Sequence, residues 1–123
     1  MIRGLGCDVC AIARMEQMIK NPRFLERYFT AREREYMGAR AKQSQTAAGL
    51  FAAKEAFVKA LGTGFAGLAP ADVAVGHDGQ GAPCYDLNEK MRRALAARGA
   101  RTAWLSISHD GEVAMAVAVL EGD

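Results

Sequence analysis

The segment from Phe51 to Gly62 constrains the fold of this 123-residue chain more than any other part of the sequence. It consists mainly of strong helix formers and ends in a glycine, a pattern typical of a helix closed by glycine. Phe51, Glu55 and Val58 are spaced i, i+4 and i+7, so they share one face of this helix. Lys59 lies one step round from that face. A carboxylate on a half-buried surface beside a cation is costly unless it is paired, metal-bound or catalytic.

The pattern around Glu55 has two interpretations. Taken alone, it favours an ion pair between Glu55 and Lys59 at i,i+4 on the helix surface, worth roughly a few tenths of a kcal/mol. The alternative is a functional carboxylate, and other parts of the sequence favour that alternative.

Capping residues, glycines and prolines divide the rest of the chain into shorter elements. The order of these elements predicts an α+β fold, in which a mainly antiparallel sheet packs against helices with one long central helix. The connections of the second half are too short for a parallel doubly wound sheet. With no repeat and no clear linker, residues 1–123 are predicted to form a single domain. The predicted elements are strands over 2–9, 72–77, 83–87, 102–108 and 112–120, helices over 11–20, 22–28 and 88–98, a helix that begins at Thr30, and the long helix that follows the polar stretch 42–46.

Composition and charge are those of an ordinary globular protein. Half of the residues are hydrophobic, and the net charge of +2 is too small to indicate nucleic-acid binding. The first third of the chain has a basic bias, which favours an acidic or phosphorylated partner. The apolar run 114–120 is too short to cross a membrane, and no apolar signal region is present at the N-terminus, so we expect a cytoplasmic protein without a membrane partner. Three cysteines do not make a disulfide framework.

The first predicted strand carries a second candidate carboxylate. Strand alternation places Gly4, Gly6 and Asp8 on one face, and the glycines leave room for another group to approach the backbone near Asp8. The other face includes Cys7, which we expect to point into the core. Asp8 is either a functional carboxylate or the cap of the helix that follows.

Three polar clusters are candidates for chemistry: Asp8, Glu55 and the segment 106–110 (SISHD). Two carboxylates from separate elements, without a third acid or a Cys/His set, suit a magnesium ion that keeps waters and binds substrate phosphates. The histidine of the third cluster, His109, is either part of such a site or a residue of a His-Asp-Gly turn.

Signals for other chemistries are weak. Cys7 and Cys10 form a Cys-x-x-Cys motif, but a zinc site needs about four ligands. A redox pair normally lies at a helix N-terminus, whereas Cys7 lies inside the predicted strand. The sequence has no Gly-x-Ser-x-Gly elbow, no phosphate-binding P-loop and no dinucleotide-binding glycine fingerprint. The other candidate metal ligands are scattered along the chain: His77, Cys84 and His109.

Together, the clusters resemble the motifs of the phosphopantetheinyl transferases, in particular the short bacterial members of that family. The matching segments are 4–9 (GLGCDV), 51–56 (FAAKEA) with 59–64 (KALGTG), and 105–110 (LSISHD). They occur in the order of the family, and the resemblance covers essentially the whole chain. The central motif is the most specific of the three.

The resemblance implies a magnesium-dependent transferase that moves the phosphopantetheine arm of coenzyme A to a serine of an acyl carrier protein, a step of fatty acid biosynthesis. Asp8 and Glu55 match the metal-binding acids of the family, and Lys59 matches its lysine near the phosphates. These three are the implied catalytic residues. Either Glu55 or His109 takes the proton of the serine. The implied coenzyme-binding residues are Lys54, Lys59, Ser108 and His109.

The resemblance also implies an assembly and a docking surface. Family members of this length are homotrimers with their sites at subunit interfaces, where one subunit supplies the side that corresponds to Asp8 and Glu55. The basic first helices resemble the surface that docks the acidic carrier protein. The implied docking residues are Arg14, Met18, Arg23, Phe24 and Arg27.

Three residues depart from the family pattern: Cys7 and Cys10, which replace residues that are usually aliphatic or polar, and Leu50, which bears on coenzyme binding. Leu50 stands where the family commonly has an arginine immediately before the Phe-Ala-Ala-Lys-Glu-Ala motif. The role of the missing arginine in binding coenzyme A would then pass to Arg40, Lys42 or Lys54. Leu50 is also the one feature that favours the alternative function, a non-catalytic module that binds coenzyme A or a carrier protein.

Overall fold

The computed structural model describes residues 1–123 and has an α+β architecture. Its strands are β1 (Ile2–Ala11), β2 (Val75–His77), β3 (Pro83–Tyr85), β4 (Thr102–Asp110) and β5 (Val113–Glu121). Its helices are α1 (Ile12–Met18), α2 (Pro22–Tyr28), α3 (Ala31–Gly38), α4 (Gln43–Leu61) and α5 (Glu89–Ala97), with a 3-10 helix at Pro70–Asp72. The main sheet is antiparallel with the order β1, β5, β4, and β2 pairs with β3 in a separate antiparallel sheet. The predicted fold class is confirmed.

Helix α4 is the central helix that the sequence predicts, and it is buried along most of its length. It ends where predicted, at Gly62, which has a left-handed φ of 79° and donates its N–H to the carbonyl of Lys59. The predicted start is wrong, because the polar stretch 43–46 is already helical and the Thr46 hydroxyl donates to the carbonyl of Lys42. The first turn lies near the surface, where polar side chains carry no burial penalty. Neither α4 nor any other helix is both long and apolar enough to span a membrane.

Glycines let α4 lie directly on the main sheet. A Cβ at Gly6 would overlap the backbone of Ala56, so only glycine permits this approach of β1 to the second half of α4. Near the other end, a Cβ at Gly49 would meet the Ile107 side chain at 3.1 Å. Helix α4 therefore runs from the β4 edge of the sheet to the β1 edge.

The caps of the short helices match the sequence. The Asn21 side chain accepts a hydrogen bond from the N–H of Arg23 at the start of α2. Thr30 and Glu33 form the capping box of α3, and Glu33 also reaches the core. Helix α1 begins one residue later and ends two residues earlier than predicted. Ala11 remains in β1, where it pairs with Val113.

The two faces of the main sheet differ, and one expectation about them is wrong. Cys7 was expected to point into the core, but it is exposed, together with Leu5 (67% exposed) and Val9 (58%) on the same face of β1. The reason is that α4 covers the opposite face, which carries Gly6, Asp8 and the buried Cys10. Cys7 and Cys10 thus lie on opposite sides of the sheet and form no joint site. Exposed apolar residues of the other strands continue this open face: Trp104, Val113 and Met115.

The second half of the chain follows the predicted order with shifted boundaries. The predicted strand over 72–77 is a 3-10 turn at Pro70–Asp72 followed by the short β2. Strand β3 ends at Tyr85, whose hydroxyl donates to the carbonyl of Ala53 at 2.6 Å. Strand β4 is two residues longer than predicted because its pairing with β5 continues to Asp110 and Val113, across a turn of only two residues. Strand β5 has the predicted length but is shifted by one residue.

Candidate active site

Lys59 joins α4 to β1 through Asp8. Its Nζ lies 2.9 Å from Asp8 Oδ1 and donates a second hydrogen bond to the carbonyl of Cys7 at 3.2 Å. The Asp8 side chain is only 15% exposed, whereas that of Lys59 is 54% exposed. The hydrogen bond with Asp8, together with its negative charge, raises the pKa of Lys59. Lys59 pairs with Asp8 and not with Glu55, so the interpretation as a surface pair of α4 is wrong.

Asp8 does not cap the helix that follows it. The N-cap of α1 is Ala11, and no side chain accepts a hydrogen bond there. Asp8 is instead held at the junction of β1 and α4 by Lys59. Of the two interpretations that the sequence left open for this residue, capping is excluded.

Glu55 is the second carboxylate of this junction. Its side chain is half-buried and takes part in none of the hydrogen bonds or ion pairs of the chain. Burial raises the pKa of Glu55, and the negative charge of Asp8 raises it further. The positive charges of Lys59 and Arg14 oppose this shift without reversing it. The two carboxylates are therefore close enough to repel each other. Lys59 forms its ion pair with Asp8, and no cation is paired directly with Glu55.

The donor set of Asp8 and Glu55 fits a hard divalent cation. No group of three or more His, Cys, Asp or Glu side chains comes together as a metal site. Magnesium, however, binds through one or two carboxylates and takes its other ligands from water and substrate phosphates. A second carboxylate without a hydrogen-bond partner beside Asp8 is the kind of site that such an ion stabilises.

An aromatic cluster borders the two carboxylates. Phe51, one turn before Glu55 on α4, stacks on Tyr28 with a centroid distance of 5.2 Å. The Arg14 guanidinium lies 5.4 Å from the Phe51 ring centroid. Phe65 meets Tyr28 edge-on at 6.5 Å. Sequence reasoning missed Tyr28 and Phe65, because neither belongs to a motif. Tyr28 is the last residue of α2, and Phe65 lies in the glycine-rich loop 62–67 that follows α4.

The third polar cluster lies at the other edge of the sheet. His109, on β4, lines a cavity of about 210 Å³ together with Ile107 and residues of α3 and α4. Ser108 points to the opposite, open face of the sheet, beside Met115 of β5. His109 belongs to the paired part of β4, so it is a strand residue and not a turn residue.

A stacked pair of rings forms one wall of this cavity. Tyr36 of α3 and His77 of β2 lie 4.0 Å apart between centroids with an interplanar angle of 19°. The Arg40 guanidinium lies 5.2 Å from the centroid of the Tyr36 ring. Burial and the nearby charge of Arg40 lower the pKa of His77. No sequence pattern indicates this wall, since its residues come from separate elements.

Leu50, a departure from the family pattern, lines the same cavity as Arg40. Arg40 therefore supplies a cation at the place where Leu50 offers none. Lys42 lines a different groove, between α1 and the start of α4. Of the three residues considered as replacements for the missing arginine, Arg40 is the one that the fold brings to Leu50.

Lys54 is not available to a coenzyme, which corrects its assignment as a coenzyme-binding residue. Its side chain is fully buried, and its Nζ lies 2.8 Å from Glu33 Oε1. The same Nζ donates to the carbonyls of Pro70 at 3.0 Å and Val73 at 2.7 Å. Burial lowers the pKa of Lys54, while the charge of Glu33 opposes the shift. Every proton of the ammonium group has a partner inside the chain, so Lys54 is structural.

The residues of the implied docking surface divide into two groups. Arg14, Arg23 and Arg27 are exposed on α1 and α2, and Met18 is half-buried. Phe24 is buried and packs on Tyr28, with a centroid distance of 4.7 Å. Phe24 thus belongs to the core of the single chain, and its assignment to the docking surface stays a prediction.

A single chain keeps the two polar clusters apart. Asp8 on β1 and His109 on β4 face the same side of the sheet, but β5 lies between their strands. Two strand spacings correspond to about 10 Å. The Asp8–Glu55–Lys59 cluster and the cavity at His109 thus lie at opposite edges of one sheet.

Comparison with known proteins identifies the family. The family model described as 4'-phosphopantetheinyl transferase superfamily matches residues 4–118. The holo-[acyl-carrier-protein] synthase of Treponema denticola is 41% identical over 123 residues, which cover 99% of this chain and 100% of that protein. The crystal structure of the holo-[acyl-carrier-protein] synthase from Neisseria meningitidis aligns with a TM-score of 0.89 at 31% identity, over 98% of this chain and 99% of that chain. That of the Bacillus anthracis synthase, in complex with CoA (3',5'-ADP), aligns with a TM-score of 0.83 at 34% identity, over 100% and 99% of the two chains.

These matches agree in sequence and in fold, and they extend over nearly the full length of the chain. They include all three segments that carry the polar clusters, since the matched residues run from Gly4 to Ala118. The chain is therefore a transferase that belongs to the 4'-phosphopantetheinyl transferase superfamily.

Proposed function

We propose that the chain is a holo-[acyl-carrier-protein] synthase, which transfers the phosphopantetheine arm of coenzyme A to a serine of an apo-acyl carrier protein. The observation that carries this proposal is the Asp8–Glu55 carboxylate pair with Lys59 beside it. The pair combines a cation site with a mobile positive charge, which is what a diphosphate substrate requires. The names of the relatives support the same function.

In the proposed step, the serine hydroxyl of the carrier attacks the β-phosphorus of coenzyme A. A bond forms between the serine oxygen and this phosphorus, and the bond from the phosphorus to the bridging diphosphate oxygen breaks. Adenosine 3',5'-bisphosphate leaves with the electron pair of that bond, and the serine proton passes to a base. Negative charge grows on the leaving phosphate, so nearby cations accelerate the step.

Asp8 and Glu55 would hold a magnesium ion, which when bound supplies positive charge to the two phosphates. Lys59 contributes the second charge. Its exposed Nζ is anchored only to Asp8 and one carbonyl, so it can turn to a phosphate oxygen when Asp8 gains another partner. A single flexible lysine thus neutralises Asp8 in the free protein and the substrate in the complex.

Glu55 is the first candidate for the base that accepts the serine proton. Its carboxylate has no hydrogen-bond partner within the chain, so it is free to accept this proton directly or through a water molecule. His109 is the alternative. In a single chain it lies across the sheet from Asp8, so it would act only if another subunit supplied it.

The cavity at His109 fits the nucleotide end of coenzyme A. It offers stacked aromatic rings from Tyr36 and His77 and a positive charge from Arg40. A planar base and a phosphate are the groups that such a lining binds. The complex of the Bacillus anthracis relative with CoA (3',5'-ADP) supports a nucleotide as ligand in this family.

We propose a homotrimer in which each active site combines the Asp8 edge of one subunit with the His109 edge of the next. Two features support the assembly: the two polar clusters lie at opposite edges of the sheet, and its open face is apolar, with Leu5, Val9 and Trp104 exposed. Exposed apolar patches of this kind are typical of protein interfaces. Sedimentation analysis tests this, and Val9→Asp should dissociate the assembly and abolish transfer together.

The carrier protein would dock on α1 and α2 through the exposed Arg14, Arg23 and Arg27. The proposal takes the carrier to be acidic, and positive charges steer the association of acidic partners. The site of action would be the cytoplasm, and the pathway would be fatty acid biosynthesis. Because salt screens the attraction between the arginines and an acidic carrier, added salt should raise the KM for the carrier more than the KM for coenzyme A.

The proposed function is tested by incubating the protein with coenzyme A, magnesium chloride and an apo carrier protein, followed by mass spectrometry of the carrier. We expect the mass gain of the phosphopantetheine arm, its loss with a chelator, and its loss in Asp8→Asn. Coenzyme A binding without a mass gain on any carrier would favour the non-catalytic binding module instead.

A further inference from the structure

Tyr28 lies at the candidate active site, although it belongs to no motif of the sequence. Its ring stacks on Phe51 with an interplanar angle of 21°. Side chains of an α-helix lean towards its N-terminus, so the Glu55 carboxylate covers the turn of α4 that carries Phe51. Burial and the charge of Glu55 raise the pKa of Tyr28, which agrees with this proximity. Tyr28 and Glu55 therefore share one part of the molecular surface.

The Tyr28 ring is held in place, but its hydroxyl is free. Phe24 stacks on the ring at 4.7 Å and Phe65 meets it edge-on at 6.5 Å, in addition to the contact with Phe51. The hydroxyl makes no hydrogen bond within the chain and is not enclosed, whereas the hydroxyl of Tyr85 donates to a core carbonyl. A fixed ring with an unpartnered donor is preorganised for a ligand.

Tyr28 belongs to α2, one of the two helices that carry the exposed cations Arg14, Arg23 and Arg27. The Arg14 guanidinium also lies over the Phe51 ring, and its positive charge acts on the Tyr28 hydroxyl. Through its stack on Phe51, Tyr28 joins the helix α2 of the proposed docking surface to the helix α4 that carries Glu55.

We propose that the Tyr28 hydroxyl donates a hydrogen bond to the phosphoryl group while it is transferred, as a catalytic residue in addition to Asp8, Glu55 and Lys59. The inference rests on the proposed function. The phosphoryl oxygens carry the negative charge that is spread over the transition state. A fixed neutral hydrogen-bond donor stabilises these oxygens without competing for the cation that Asp8 and Glu55 would hold.

Tyr28→Phe tests this, because it removes only the hydroxyl and keeps the stacked ring. Steady-state transfer gives kcat and the KM for the carrier, and calorimetric titration gives the Kd for coenzyme A. We expect kcat to fall about tenfold to a hundredfold, the range for one hydrogen bond to a charged group, with KM and Kd changed less than about twofold. The midpoint of thermal unfolding should not change.

Tyr85→Phe is the matched control. It also removes one phenol hydroxyl, but this one donates to Ala53 in the core. We expect the opposite result: a lower midpoint of thermal unfolding because a buried carbonyl loses its partner, and an unchanged kcat.

Equal kcat values for the wild type and Tyr28→Phe would overturn the proposal. A higher carrier KM at unchanged kcat would also overturn it and assign Tyr28 to docking. A lower kcat accompanied by a lower unfolding midpoint, as large as that of Tyr85→Phe, would make the residue structural. An inactive wild-type protein that still binds coenzyme A would instead contradict the proposed function, and the inference with it.

Discussion

Two lysines of α4 form ion pairs with carboxylates from distant parts of the chain, in opposite environments. Lys54 and Glu33 lie 2.8 Å apart and are almost completely buried. Lys59 and Asp8 lie 2.9 Å apart, but Lys59 is more than half exposed. The distances are nearly equal, so distance alone does not distinguish the two pairs. Burial and the number of remaining partners do.

The buried pair organises the fold around it. Glu33 accepts hydrogen bonds from the N–H groups of Thr30 and Val75, and Lys54 donates to two carbonyls near β2. The pair thereby joins α4 to α3 and to β2, the two elements that carry the Tyr36–His77 wall. The exposed pair has fewer constraints, so its lysine can exchange partners when a substrate binds.

Breaking the buried pair should have the largest effect on stability. Lys54→Met leaves the Glu33 carboxylate buried without its cation, so we expect a loss of about 3–5 kcal/mol in the free energy of unfolding. Urea denaturation measures it. Lys90→Met is the control, because the Lys90–Asp72 pair is exposed at 3.3 Å and should cost less than about 1 kcal/mol. Similar losses for both variants would contradict the distinction between the two regions.

Glu55→Gln should have the largest effect on activity without unfolding the protein. We expect transfer to fall at least about a hundredfold, since Glu55 is both the proposed base and a proposed ligand of the cation. The pKa of Glu55 is raised in the fold, so stability falls as pH rises from the unfolded value through the folded one. Removing the charge should therefore maintain or increase stability at neutral pH. Glu89→Gln, on the exposed face of α5, should keep full activity.

Lys59→Met should lower transfer by about tenfold to a hundredfold, because one of the charges that stabilise the leaving phosphate is lost. Its effect on the free energy of unfolding should stay below about 1 kcal/mol, since the Lys59–Asp8 pair is largely exposed on the lysine side. Kinetics and urea denaturation of the same preparation give both values. A large loss of stability with little loss of activity would make Lys59 a second structural lysine.

The smallest effect is a shift in the titration of Glu55 in the metal-free protein. NMR of the side-chain carboxyl carbon should give a Glu55 pKa above the ordinary glutamate value of 4.5. Asp8→Asn should move it down, because a like charge is removed, but not fully to the ordinary value, because burial remains the main cause. An unchanged Glu55 titration in Asp8→Asn would show that the two carboxylates do not interact.

Local signals predicted much of the fold. The glycine at 62 ended α4, and Asn21, Thr30 and Asn88 capped their helices as expected. Boundaries failed where long-range pairing decided them, as at Ala11, which pairs with Val113 and extends β1. Polar residues 43–46 were misassigned because an exposed first helical turn has the composition of a loop.

The site was predicted in part. Asp8, Glu55 and Lys59 lie together at one junction, whereas Lys54 and Phe24 proved to be core residues. The segment 51–62 does not by itself reveal which lysine is buried, because Lys54 and Lys59 occur in similar surroundings of the sequence.

By itself, the sequence determined the family, the central helix and the identity of the two carboxylates, because caps, helix periodicity and motif residues act over a few positions. Only the tertiary structure decided which charge pairs with which and which sheet face is open. The partners Glu33 and Asp8 lie far from their lysines along the chain, and the packing of α4 on Gly6 selects the buried face. Those choices depend on contacts between distant segments, and they separate the buried lysine of this transferase, Lys54, from the exposed one, Lys59.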